Sequence, residues 1–177
     1  KGGHSGIEIN KQRGNAVKLL GRVLKRISRE MEIRIASISG GAKHNAIARE
    51  AAAIITVPEM KVSTVKGILD EMNKTFVNEF ATEDPEIVVG IKEASCERVM
   101  SEKATKGIID YMNIVPDGVQ TISREIEGLV VSSLNLGVLE EKEDKVIFTH
   151  AVRSSVRSLK DEISSRLIII AELCDAT

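Results

Sequence analysis

A chain of 177 residues is long enough to bury one sizeable core. Its 42% hydrophobic and 29% charged residues are ordinary for a soluble globular protein, and a formal net charge of -1 offers no global attraction for nucleic acid or an anionic membrane. Aromatic residues make up 2%, with no Trp, which argues against base stacking and leaves the core to Ile, Val, Leu and Ala.

The opening stretch, Lys1–Ala16, reads KGGHSGIEINKQRGNA and begins without Met. It sets His4 between glycines, which for an arbitrary sequence reads as a frayed end, and here as a loop belonging to a larger protein. Asn15 is placed to cap a helix over Asn15–Met31, with Val17, Leu20, Leu24, Ile27 and Met31 at helical spacing. Glu32–Ser39 alternates as a strand, with Ile33, Ile35 and Ser37 on one face and Arg34, Ala36 and Ile38 on the other. Gly40-Gly41 ends it and starts a loop through Asn45. Glu50–Val57 is a second strand, stopped by Pro58.

The spacing predicts a helix over Lys61–Ala81, with Val62, Val65, Leu69, Met72, Phe76 and Phe80 on one side. Glu86–Ala94, with Ile87-Val88-Val89, reads as a strand. Ser101 caps a helix over Glu102–Val115, closed by Pro116-Asp117-Gly118. Gly128–Glu140 and Lys145–Arg153 form a hairpin around the charged turn Glu141–Asp144. A last helix starts between Ser155 and Ser158, where Ser158 and Asp161 have capping-box spacing, and its face is Leu159, Ile163, Leu167, Ile170 and Cys174.

If a strand precedes Lys1, this order gives two strand–helix–strand–strand–helix units, approximately 1–82 and 83–177. Each resembles a split ferredoxin-like βαββα unit, so the expected fold is α+β, an antiparallel sheet with four helices on one face. Outer strands without partners favour association with a second chain, and a homodimer is expected.

The chain is poor in the usual catalytic signatures. His4, His44 and His150 share no metal-ligand spacing, and no nucleophile elbow, P-loop or dinucleotide fingerprint occurs. Cys96 and Cys174 suit neither a disulfide framework nor a zinc knuckle, and read as small buried apolar residues in a reducing, cytoplasmic compartment. No apolar run reaches the length of a membrane span. Residue spacing alone ends at an α+β domain with several polar loops, in which Asn45 is a turn residue and Arg153 a strand-end charge.

Four segments in order carry something more: KGGHSGIEINKQRGNAVKLL (Lys1–Leu20), SISGGAKHNAIAREA (Ser37–Ala51), GLVVSSLNLGVLE (Gly128–Glu140) and HAVRSSVRS (His150–Ser158). Together they resemble the lid, or dimerisation-type, domain of the aminoacyl-histidine dipeptidases (peptidase D or Xaa-His dipeptidases), co-catalytic zinc peptidases related to aminoacylase and carnosinase. One departure is Ala48, where many relatives have a proline after Asn-Ala-Ile.

The resemblance implies a hydrolase parent whose catalytic domain, with two zinc ions and their ligands, lies outside this chain, so the chain alone is expected to be inactive and to hold no metal. His4 matches the lid histidine that stabilises the oxyanion. Asn45 matches the asparagine that hydrogen-bonds the dipeptide, and Arg153 the arginine that pairs with its C-terminal carboxylate. His44 is left unassigned, and Asn135, in Ser-Leu-Asn-Leu-Gly, reads as structural or loop-positioning with no catalytic role. The rival reading is a purely structural dimerisation module.

Overall fold

Asn15 converts the glycine-rich opening segment into a helix. In the computed structural model, which describes residues 1–177, its side-chain oxygen accepts from the Val17 amide at 3.1 Å and starts α1 (Ala16–Ser28). Val17, Val23, Leu24 and Ile27 are the buried stripe of that helix. A two-residue strand β1 (Gly3–His4) precedes it, and β2 (Arg34–Gly40), β3 (Ala46–Ile47) and β4 (Ala51–Thr56) follow. Next comes α2 (Val62–Glu79), whose Val65, Ile68, Leu69, Met72 and Phe76 face inward. Ser101 accepts from the Ala104 amide at 3.1 Å and caps α3 (Glu102–Ile114) as expected. The chain finishes with β5 (Gly118–Ile122), β6 (Val130–Lys142), β7 (Lys145–Ser154) and α4 (Arg157–Leu173).

The main sheet is antiparallel and five-stranded, ordered β4-β2-β6-β5, with β7 along the opposite edge of β6. Strand β6 is the spine: β7 pairs with nearly all of one edge, while β5 and β2 share the other. Its hairpin to β7 turns on Glu143 and Asp144, both at positive φ (50° and 61°), the geometry whose twist suits a two-residue hairpin. All four helices contribute to one core with the sheet, including Leu24, Ile35, Phe76, Met112, Leu136 and Ile170. The architecture is therefore the expected α+β fold, four helices with an antiparallel sheet.

The alternation expected for Glu32–Ser39 places Ile35 and Ile38 on opposite faces. Both are buried, at 0% and 1% exposure, because the ladder skips Ala36: Ile35 pairs with Ile55 and Ser37 with Ile54. One bulged residue resets the period and returns both isoleucines to the core. Glu86–Ala94 is not a strand. The Asn73 side chain of α2 takes both main-chain groups of Val89, at 2.7 Å each, so the segment is tied to a helix instead of a sheet edge. Pro116-Asp117-Gly118 does end α3, but the chain enters β5 at once, an element the breaker signal concealed.

The Ser158–Asp161 capping box does not form. Helix α4 starts at Arg157 with Val156 at its cap position and no side-chain cap. Cys96 is exposed, against the expectation of burial, since it lies in the irregular stretch before α3; Cys174 is buried.

Asn15 does more than cap. Its amide also donates to Leu136 O at 2.9 Å and Asp117 Oδ1 at 3.1 Å, joining α1 to β6 and to the entrance of β5. Asn15→Ala removes the cap, worth about 1 kcal/mol, and takes the side-chain donor from the buried Leu136 O, costing roughly 1–3 kcal/mol, whereas Asp117 Oδ1 keeps the Leu136 amide. The expected loss is about 2–4 kcal/mol in urea unfolding. A loss within about 0.5 kcal/mol, the range of a neutral surface change, would show that the junction carries no stability.

Candidate functional site

Residues paired across an antiparallel ladder share a face, so the pairs Asn135–Ala151 and Ser133–Arg153 place Ser133, Asn135 and Arg153 on one side of the β6–β7 hairpin. Leu134 and Leu136 point the other way and are fully buried. The short β1–β3 ribbon joins to the first of these faces. Gly3 pairs with Ile47 and His4 with Ala46, and the Ser5 amide donates to Asn45 O at 2.9 Å.

The loop around His4 is closed by its own side chains. Amides of Gly6 and Ile7 both donate to His4 Nδ1 at 3.1 Å. A ring nitrogen that accepts twice carries no proton, so the neutral imidazole bears its hydrogen on Nε2 and presents it as a donor. The His4 amide in turn donates to Glu8 Oε2 at 3.1 Å. Glu8 also meets Lys11 at 2.8 Å and Arg13 at 3.2 Å, and Arg13 donates to Gly2 O. The Lys11 hydrogen bond above all, then that from the His4 amide, holds the Glu8 carboxyl down at about 2, so it remains an ionised acceptor.

Arg153 reaches this loop from β7. A Cβ added to Gly6 would lie 3.1 Å from His4 Cε1 and 3.2 Å from Arg153 Cζ, so imidazole and guanidinium meet across the space that glycine leaves. Arg153 is exposed and makes no hydrogen bond or ion pair within the chain, although most other arginines do. The Asn45 side chain is also without an internal partner, being tied through its main-chain oxygen alone. His4 and Arg153, from opposite ends of the chain, thus meet at one loop, and the main chain of Asn45 is bonded to the residue after His4. His44, next to Asn45, is exposed and contributes its main-chain oxygen to Asn135. Periodicity gave no sign of Glu8 or Gly6, because their roles are to hold a loop shape and to leave a gap.

His150 lies on the helix side of β7, away from this surface. Its Nε2 shares a 2.9 Å hydrogen bond with the Tyr111 hydroxyl. Burial lowers its pKa to about 4 and raises that of Tyr111 to about 12. Asp117, buried and accepting from the Leu136 amide at 2.7 Å, is pushed up to about 6 by desolvation.

The two shifts oppose each other. His150 stabilises the fold fully above its unfolded value of 6.5, and that contribution is lost as pH falls through about 4. Asp117 stabilises below its unfolded value of 3.8, and its contribution is lost as pH rises through about 6. In His150→Gln only the Asp117 effect remains. Urea titrations at pH 7 and pH 4 should show the variant gaining about 3 kcal/mol on the wild type over that interval. Parallel pH profiles for the two proteins would contradict a buried neutral His150.

No three His, Cys, Asp or Glu side chains gather to hold a metal ion, so this chain's residues do not fit a zinc site. No helix is long and apolar enough to cross a membrane.

Residues 1–84 match the family model described as the peptidase dimerisation domain. Over 177 residues the chain is 33% identical to the cytosol non-specific dipeptidase of Escherichia coli (strain K12), covering 99% of this chain and 36% of that protein. The crystal structure of aminoacylhistidine dipeptidase from Vibrio alginolyticus superposes on the whole chain with a TM-score of 0.95 at 32% identity, again over 36% of the relative. The chain therefore spans little more than a third of the length of the relatives it matches. Residues 1–84 are thus similar to peptidase dimerisation domains, and the whole chain is similar in sequence and fold to one segment of these two dipeptidases.

Proposed function

We propose that this chain is the substrate-binding lid of a zinc-dependent dipeptidase that hydrolyses Xaa-His or other dipeptides in the cytoplasm. The observation that supports this reading is the meeting of His4 and Arg153 at Gly6, with His4 held in the tautomer that donates from Nε2 and the Asn45 main chain tied to the same loop through the Ser5 amide. In the closed enzyme His4 Nε2–H donates to the oxygen that becomes negative as the peptide carbonyl is attacked. Arg153, a permanently charged planar fork with no partner of its own, takes the C-terminal carboxylate of the dipeptide. Asn45 hydrogen-bonds the substrate between them. Closure brings the three groups over the catalytic centre and excludes water.

Two zinc ions, their ligands and the general base would lie in the part of the parent outside this chain. The residues present here bind, orient and stabilise charge, and the chain alone is expected to turn over no dipeptide. Strands β4 and β7 leave outer edges available for pairing, and a homodimer is the proposed assembly.

The test separates lid from inert scaffold. A parent enzyme with this region deleted should keep its bound zinc, measured by atomic absorption, and lose dipeptidase activity. Light scattering on the isolated chain should give twice the monomer mass. Retained activity after deletion would overturn the lid role, and a monomer at high concentration would overturn the assembly.

A further inference from the structure

The geometry points to Asn135 and Gly137 of β6 as the platform that sets the position of Asn45, Asn135 acting as a positioning residue for substrate recognition. This rests on the lid reading of Asn45 given above. Asn135 is 1% exposed, and its amide nitrogen donates to two main-chain oxygens, those of His44 at 3.1 Å and Ala46 at 2.9 Å. These are the residues on either side of Asn45. With carbonyls as both partners, the nitrogen must be the atom that faces them.

Two residues along, Gly137 lets the same loop sit down. A Cβ there would lie 2.5 Å from His44 O and 2.7 Å from His44 Cα. One residue supplies the donors and the other the room, so the Asn45 loop is fixed from below by Asn135-Leu136-Gly137. The same strand is paired to β7, where Ser133 faces Arg153. Strand β6 therefore registers Asn45 against Arg153, and through the Ser5 amide bonded to Asn45 O it reaches the residue after His4. The Ser-Leu-Asn-Leu-Gly motif has its use here. Pairing through main-chain oxygens also explains how the loop is held with Ala48, in place of a proline, just beyond it.

The experiment has a structural arm and a kinetic arm. In the 177-residue chain, Asn135→Ala should speed hydrogen exchange of the Ser5 amide about tenfold or more, while amides of α1 and α2 keep their protection. Gly137→Ala, which pushes the same loop from beneath without touching the donors, should do the same. In the full-length dipeptidase, Asn135→Ala should lower kcat/KM by about tenfold to a hundredfold. The double variant Asn45→Ala/Asn135→Ala should then be no worse than Asn45→Ala alone, since both remove one function.

Unchanged Ser5 exchange in both single variants would overturn the platform, as would fully additive kinetic losses. If Asn45→Ala itself leaves kcat/KM intact while Ser5 exchange still rises, the platform stands and the substrate role of Asn45 falls.

Discussion

Replacing His4 by alanine in the full-length dipeptidase should lower kcat by about 10²–10³-fold and leave KM within roughly twofold. The size follows from what the ring supplies. A donor fixed in advance and aimed at charge that develops only in the transition state is worth about 2.7–4 kcal/mol when water is excluded. His4 is held in advance by the Gly6 and Ile7 amides on Nδ1 and by the tie from its own amide to Glu8. Ground-state binding does not use the developing charge, so the effect belongs in kcat. Stopped-turnover kinetics with zinc content checked in parallel measures it. A loss carried wholly by KM would move His4 from oxyanion stabilisation to ordinary substrate contact.

Arg153→Ala should act on the other kinetic constant. Removing one partner of a desolvated charge pair costs about 2–5 kcal/mol, so KM should rise by about 10²-fold or more while kcat changes less. Arg153→Lys should recover part of the loss, because an ammonium keeps the charge and gives up the two-pronged geometry. A sharper measurement compares a dipeptide with its C-terminal amide. Wild-type enzyme should prefer the free acid strongly, and Arg153→Ala should lose most of that preference. If the acid-to-amide ratio is the same in both, the carboxylate is read elsewhere.

These expectations depend on a meeting of residues that no sequence window contains. His4 and Arg153 are separated by nearly the whole chain, yet both line the gap at Gly6. Resemblance across four short segments singles out these two residues and Asn45 as candidates. It could say nothing of the tautomer of His4, which depends on two amide hydrogens placed by the turn after β1. Nor could it distinguish Asn135 from any other asparagine in a strand, since the partners of its amide are main-chain oxygens contributed by a loop about ninety residues earlier.

Elements governed by local chemistry were readable in advance. Asn15 and Ser101 cap helices because an oxygen two or three residues ahead of a free amide needs nothing from the rest of the fold. The four helices and the β6–β7 hairpin follow from apolar spacing and a charged turn of the right length. Elements that depend on a partner were misread. Glu86–Ala94 has the composition of a strand, but Asn73 supplies both hydrogen bonds to Val89 that a neighbouring strand would have supplied. Ser158 has capping-box spacing, but Val156 occupies the cap position and α4 begins one residue before Ser158. The bulge at Ala36 is invisible to a period of two, because burying Ile35 and Ile38 together is decided by the helices packed above them.

By itself, then, the sequence determined the helices, the hairpin, the α+β class and the residues that resemble a dipeptidase lid, because spacing, capping and turn preference act over a few residues. It took the folded chain to show that His4 and Arg153 meet at Gly6, that Gly6 and Gly137 sit where a larger side chain would collide, and that β6 carries the loop holding Asn45. Those facts rest on hydrogen bonds and close approaches between segments far apart in the chain, and such contacts have no local signature.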